Sequence, residues 1–313
     1  MQVKKAVITA AGRGARLYPM ADTVQKATLP IIDIDGLQKS VIQIIAEEAI
    51  ESGIEEVCII CAPGDEKRYL QSFKTQHDYL LKSYGKELWA EKEAAIIDNL
   101  LNRLSFAVQE EPHGYGHAVL SAKEFVMKDP FLLLLGDYLY VSNGNLRCAK
   151  QLIELAEKEK CSVSAVNPTI EHLIPNYGTL KCNPVQNGVG VYSIDKIIEK
   201  PSLSKAELML QTPGLRAGYY LCFFGMHVFT SDIMDVLANS YNAEVASENP
   251  LLLTPAQQEL ADKGKYLALE VKGRRYDTGK KYGLLKAQIA LGLAGNEKER
   301  IMSDIIELLA ESK

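Results

Sequence analysis

The chain is predicted to be an α/β protein with a central, mixed but mostly parallel sheet flanked by helices. Three observations carry this. Short apolar runs alternate with amphipathic segments over the first half in a β-α-β-α order, as parallel strands joined by helical crossovers require. The runs are continuously apolar, which suits strands covered on both faces. The first run empties into Ala11-Gly12-Arg13-Gly14-Ala15-Arg16-Leu17-Tyr18-Pro19, a loop of small residues and fixed cations. Open α/β sheets bind ligands beyond the carboxyl ends of their strands. There, glycines let backbone N–H groups approach an anion, and Arg16 and Lys26 supply charge, so a nucleoside triphosphate is the expected ligand.

In chain order, residues 3–10 read as the first strand. Residues 37–52 read as a helix, with Val41, Ile44, Ile45 and Ala49 on one side and Gly53 ending it. A strand at 56–62 follows. Residues 66–103 are helical in composition, contain Trp89, the one tryptophan, and exceed what a simple crossover needs; a lid or an oligomer contact would use such a segment. Strands at 104–109 and 131–135 then alternate with helices at 118–126 and 146–158. The second half changes character. Strands are expected at 161–167, 178–182, 190–199 and 219–229, punctuated by Asn176, Gly178, Asn183, Asn187 and Gly188. A helix at 231–237, a strand at 266–271, a helix at 281–292 and an amphipathic helix at 297–310 complete the pattern.

The sequence has 313 residues, 47% hydrophobic and 24% charged, the composition of a soluble globular protein. No apolar run approaches the ~20 residues of a membrane-spanning helix, and no signal-peptide pattern precedes the first strand. A cytoplasmic protein without a membrane partner is expected. The net charge of −5 argues against nucleic acid as a partner. Cys58 and Cys61 have the spacing of a metal-binding or redox pair. Three apart on a strand they face opposite sides, so buried, reduced thiols are expected.

Several side chains fall where ligands sit. Gly12-x-Gly14 starts like a dinucleotide fingerprint, but Leu17 holds the third glycine position and Pro19 and Pro30 interrupt any long helix. Neither a dinucleotide site nor a P-loop fits. Gln109 ends a strand, and its amide suits the edge of a base; Gly114 and Gly116 would let a flat ring approach the backbone. His117 reads as a solvated residue in the first turn of the next helix. Asp137 leaves an apolar strand directly, and Asp277 follows the strand at 266–271. Each alone would serve as a helix cap or turn residue, but beside a phosphate loop they read as Mg²⁺ ligands, since Mg²⁺ takes one or two carboxylates plus phosphate oxygens. Glu199-Lys200-Pro201 leaves an acid and a base at a strand end. Glu199 suits sugar hydroxyls and Lys200 a phosphate, with a surface ion pair as the plainer alternative.

Gly12-x-Gly14-x-Arg16-Leu17-x-Pro19, Lys26-x-x-Leu29-Pro30, the segment 109–119, Gly136-Asp137, Asn176-Tyr177-Gly178, Glu199-Lys200-Pro201 and Asp277-x-Gly279 occur in the order found in sugar-1-phosphate nucleotidylyltransferases, and the chain resembles that family from residue 3 to residue 292. Gly114-x-Gly116-His117-Ala118-Val119-Leu120 and Lys272-Gly273-x-x-x-Asp277-x-Gly279-x-Lys281-x-Gly283 are similar to the branch that transfers a uridylyl group from UTP to glucose 1-phosphate. The resemblance implies a Rossmann-like nucleotidyltransferase fold with an added sugar-binding β region. It implies a nucleotide-binding half at 1–145, a sugar-phosphate-binding half at 146–293 and a C-terminal helix at 294–313. It also implies dependence on Mg²⁺, UTP and glucose 1-phosphate as small-molecule partners, and a homo-oligomer. By resemblance Ala11, Gly12 and Gly14 approach the nucleotide, and Gln109 and Gly114 read the uracil. Arg16 and Lys26 handle the triphosphate, Asp137 and Asp277 hold the metal, Gly178 and Glu199 touch the sugar, and Lys200 holds its phosphate. The chain departs from the family pattern around the cations. Ala15 stands where a threonine is usual, Gln25-Lys26-Ala27-Thr28 replaces Pro-Lys-x-Leu or Pro-Lys-x-Met, and Ile34-Asp35-Gly36-Leu37 replaces a usual Lys-Pro. Thymidylyl or other nucleotidylyl transfer, and a nucleotide-binding relative without turnover, are the alternatives.

Overall fold

The computed structural model describes residues 1–12, 14, 24–185, 188–247 and 249–311, with 243–247 by backbone alone. Strand β1 (Lys5–Thr9) is followed by a two-stranded ribbon, β2 (Pro30–Ile32) and β3 (Gln38–Ser40), then helix α1 (Val41–Glu51) and strand β4 (Glu56–Cys61). Helices α2 (Asp65–Tyr84) and α3 (Leu88–Arg103) precede β5 (Leu104–Val108). Next come α4 (Tyr115–Leu120), α5 (Lys123–Val126), β6 (Phe131–Leu135), β7 (Tyr138–Ser142) and α6 (Cys148–Glu159). The second half contains β8 (Ser162–Ile170), β9 (Thr179–Pro184), β10 (Val191–Ile198), α7 (Leu203–Met209), β11 (Tyr219–Phe229), α8 (Asp232–Ser247), α9 (Leu253–Lys263), β12 (Tyr266–Glu270), β13 (Gly273–Asp277), α10 (Gly283–Ala294) and α11 (Lys298–Glu311).

Nine strands form one sheet in the order β5-β4-β1-β6-β11-β8-β12-β10-β9. The pairings among β5, β4, β1 and β6 are parallel, as the alternating pattern requires. Beyond them β11 runs antiparallel to β6 and to β8, β12 lies parallel to β8, and β10 and β9 are antiparallel. The start of β11 also pairs with β9, Leu221 with Leu180 and Cys222 with Thr179, so β11, β8, β12, β10 and β9 close on themselves.

Alternation along the strands builds two cores. Ala6 and Ile8 of β1 and Leu132 and Leu134 of β6 face one core, filled from α1, α3, α6 and α10. Val7, Phe131 and Leu133 face the other, filled from α4, α8 and α9. Each such large side chain, fully buried, contributes about 1.5–3 kcal/mol. All six cysteines are buried free thiols. Among the described residues no helix is long and apolar enough to cross a membrane.

Among the differences from expectation, three bear on the site. The helix expected from residue 37 starts at Val41, because Ser40 caps it by accepting from the Gln43 N–H, while Gln38–Ser40 pairs with β2. The helix expected at 118–126 is two short helices; Ser121 Oγ donates to His117 O at 2.9 Å, a local bond that competes with helix propagation. Asp277 does not end the strand at 266–271. It ends β13, which forms a separate antiparallel ribbon with β7.

Candidate active site

The parallel strands β1, β5 and β6 deliver their carboxyl ends to the same edge of the sheet. There Gly136 N donates to Thr9 O at 2.9 Å, and a Cβ on Gly136 would lie 2.6 Å from that oxygen. The exit of β6 can pass this close to β1 only as glycine, and it sets Asp137 beside the loop after β1. Lys26 Nζ lies 2.5 Å from Asp137 Oδ2, with side-chain exposures of 13% and 9%. Gly12 and Gly14 line the lysine: a Cβ on Gly14 would lie 3.1 Å from Lys26 Cδ, and one on Gly12 3.9 Å from its Nζ. Gly14 has φ +73°, which glycine adopts without strain. Arg16, with Ala15, Leu17, Pro19 and Asn187, lies outside the described residues.

The β7–β13 ribbon brings in the second carboxylate. Asp277 pairs with Tyr138, the neighbour of Asp137, and both the N–H and the hydroxyl of Thr278 donate to Asp137 O at 2.9 Å. Gly279 N donates to Asp277 Oδ1 at 3.0 Å, and Lys280 Nζ stands 3.8 Å from Oδ2. Lys280 also reaches Tyr177 Oη at 3.3 Å, and the Arg275 guanidinium lies 4.1 Å over the Tyr177 ring while donating to Phe223 O. Arg275 and Lys280 were not singled out from the sequence. Their signal was the run Arg274-Arg275 and a lysine three residues after Asp277.

Tyr177 leads to the sugar-side residues. Lys200 N donates to Tyr177 O at 3.2 Å, and Phe223 N to Gly178 O at 2.9 Å. A Cβ on Gly178 would meet Phe223 at 2.7 Å and Glu199 Oε2 at 3.0 Å, so the carboxylate lies directly against the glycine. Thr254 Oγ1 donates to Glu199 Oε2 at 3.0 Å, and Lys200 Nζ is 3.5 Å from Oε1. The Lys200 and Glu199 side chains are 60% and 40% exposed, so their pairing contributes little to stability and leaves both open to a ligand. Lys200 has φ +44°, an uncommon conformation for a residue with a side chain, and strain of this kind clusters at functional sites.

Gln109, 8% exposed, donates through Nε2 to Gly114 O at 3.2 Å and toward His117 Nδ1 at 3.1 Å. The space beside Gly114 and Gly116 is occupied by the chain itself. Their Cβ atoms would lie 2.5 Å from Leu251 O and 2.9 Å from Leu252 C, so packing alone demands glycine there. His117 is not solvated as expected: its ring stacks on Tyr241 at 4.9 Å and meets the edge of His113 at 5.3 Å. Burial first, and then His113, hold its pKa below the usual value. Tyr115 joins the two sides, since its phenol feels the charges of both Asp137 and Glu199; burial holds that phenol protonated. A succession of contacts thus links Lys26 and Asp137, through Thr278, Asp277, Lys280 and Tyr177, to Gly178, Glu199 and Lys200.

Cationic and acidic groups at the carboxyl edge of a mixed sheet suit a nucleotidyl transferase: residues 5–292 match the model of the nucleotidyl transferase family, and the chain belongs to that family. Its relatives include the UTP–glucose-1-phosphate uridylyltransferase 2 of Streptococcus pyogenes serotype M3, 33% identical over 98% of this chain and 96% of the relative. Among solved structures, a UDP-glucose pyrophosphorylase complexed with UDP-glucose superposes with a TM-score of 0.73 at 29% identity, covering 92% of this chain and 98% of that one. A UTP-bound UGPase from Acinetobacter baumannii superposes with a TM-score of 0.75 at 25% identity, covering the whole of both chains.

Proposed function

We propose that this chain transfers a uridylyl group from UTP to glucose 1-phosphate, releasing pyrophosphate and forming UDP-glucose. The observation that carries the reading is the succession of contacts from the Lys26–Asp137 pair to Gly178, Glu199 and Lys200, which would set a polyanion and a sugar next to each other. The names of the similar proteins supply the substrates.

The reaction is an in-line displacement. A phosphate oxygen of the sugar phosphate forms a bond to the α-phosphorus of UTP, and the bond from that phosphorus to the pyrophosphate oxygen breaks. The nucleophile is already anionic, so no general base is needed. The obstacle is repulsion, since two unit charges 4 Å apart cost about 4 kcal/mol at an effective dielectric near 20. Lys26 offsets charge on the triphosphate, and Arg16 is assigned the same task from its place in the loop. Lys200 aligns the attacking phosphate, while Glu199 and the open face of Gly178 take the sugar. Gln109 and Gly114 face the base, beside Ala11, Gly12 and Gly14. Asp137 and Asp277 fit Mg²⁺, because they are two hard oxygen donors on neighbouring positions of one ribbon and no third acid or histidine joins them among the described residues. Mg²⁺ takes its remaining ligands from water and phosphate. Bound there, Mg²⁺ would neutralise phosphate charge.

Pyrophosphate release measured across UTP, dTTP, CTP, GTP and ATP, each with glucose, galactose and mannose 1-phosphates and with or without Mg²⁺, tests the reading. The expected result is UDP-glucose from UTP, glucose 1-phosphate and Mg²⁺. No product from that combination would refute it, and a preference for dTTP would reassign the base.

A further inference from the structure

The Gln109 amide is held from two sides. Gly114 O is a carbonyl and can only accept, so the group facing it at 3.2 Å must be the amide nitrogen. The same nitrogen directs its second hydrogen to His117 Nδ1 at 3.1 Å. That requires Nδ1 to be bare, hence a neutral ring with its proton on Nε2. The surroundings favour this state. Burial and the neighbouring His113 disfavour a second ring proton, the backbone and charge of Glu111 favour a proton without overcoming them, and Tyr241 covers the ring face. Both amide hydrogens are therefore consumed within the protein. Gln109 Oε1 accepts no hydrogen bond among the described residues and is not sealed in the core, so it is the amide atom that a ligand can meet.

We infer that His117 is a positioning residue: with Gly114 O it fixes the Gln109 amide so that only the carbonyl oxygen faces the base, and nucleotide choice then depends on a donor at the base's ring edge. Uracil and thymine carry such a donor at N3. Cytosine presents a bare N3 and adenine a bare N1, which would set acceptor against acceptor. Without the His117 acceptor only Gly114 O holds the amide, so it turns more readily and offers its NH₂ to cytosine in a larger share of molecules. The inference deepens the proposed uridylyl transfer and rests on that reading for the base-side assignment of Gln109.

Equilibrium binding of UTP and of CTP to the full chain, measured by calorimetry, tests this without needing turnover. The variant His117→Phe keeps a ring against Tyr241 but has no acceptor; His117→Ala leaves a gap instead of a bulkier ring and replaces it if the first variant fails to fold. Wild-type protein is expected to prefer UTP over CTP by at least about tenfold, the worth of one well-placed hydrogen bond. The variant is expected to narrow that preference several-fold while its calorimetric affinity for glucose 1-phosphate and its thermal midpoint stay near wild type. A purely structural role for His117 would weaken both nucleotides alike. Equal binding of UTP and CTP by the wild type, or a preference undiminished in the variant, overturns the inference. Absence of turnover with the UTP preference intact would count against the proposed reaction while supporting this one.

Discussion

Lys26 and Asp137 keep about a tenth of their exposure, and each is the other's counter-charge. The substitution Lys26→Met would take one cation from a buried carboxylate and is expected to lower the midpoint of a denaturant titration. It is expected to reduce turnover on the order of a hundredfold, as loss of one electrostatic contact at a reacting centre does. Turnover equal to wild type would take Lys26 out of the reaction. His227 shows the opposite use of burial. It lies between Ser164 Oγ at 2.6 Å and the stacked ring of Phe229, and desolvation pushes its pKa down to about 3. The folded state therefore refuses a proton that the unfolded chain accepts near pH 6.5. The stability His227 contributes is present above that pH and is lost as pH falls toward 3. An imidazole signal from His227 that stays neutral in a pH titration by NMR down to about pH 4 is expected; a midpoint near 6.5 would contradict it. Neither environment is legible in the sequence, where a lysine before Ala27 and a histidine inside an apolar strand carry no sign of their partners.

At the scale of elements, β11 bends where its register with β8 shifts between Phe223 and His227. Gly225 there has φ +83°, and a Cβ would lie 2.7 Å from both Leu135 and Tyr138. The variant Gly225→Ala is expected to cost about 2 kcal/mol by overpacking and to lower turnover as well, because Tyr138 adjoins Asp137. Full activity with unchanged stability would show that the bend tolerates a side chain. The long apolar strands were legible, since 131–135 and 219–229 are continuous runs whose burial needs no partner to be specified. The β7–β13 ribbon was not. Tyr138–Ser142 is apolar but only five residues long, Gly273–Asp277 carries two arginines and shows no apolar period, and their pairing joins residues about 135 apart in sequence. That pairing decides where Asp277 goes. The motif order pointed to Asp137 and Asp277 without showing that the ribbon pairs Asp277 with Tyr138, the neighbour of Asp137. Lys39 was equally hidden: it is buried among Asp33, Glu47 and Glu93, an arrangement that only the packing of α1 against α3 creates.

For the whole molecule, the sheet runs without interruption across residue 145, because β6 from the first half pairs with β11 from the second. Thermal unfolding followed by Trp89 fluorescence on α3 and by far-UV circular dichroism is expected to give one coincident transition. Two separated midpoints would show that the halves unfold independently. The chain order of motifs pointed to one site, but not to the closure of the second half, where β9 returns to the start of β11.

That closure has a consequence for how the cleft meets its ligands. One covalent strand, eleven residues long, is stitched to β6, on the side proposed for the nucleotide, at one end and to β9, on the side proposed for the sugar, at the other. The spacing between the two reactant beds is thus dictated by bond lengths and sheet hydrogen bonds rather than by the docking of separate bodies. Two repelling guests arrive at berths already laid out at a fixed interval, and little of their binding energy goes into bringing those berths together.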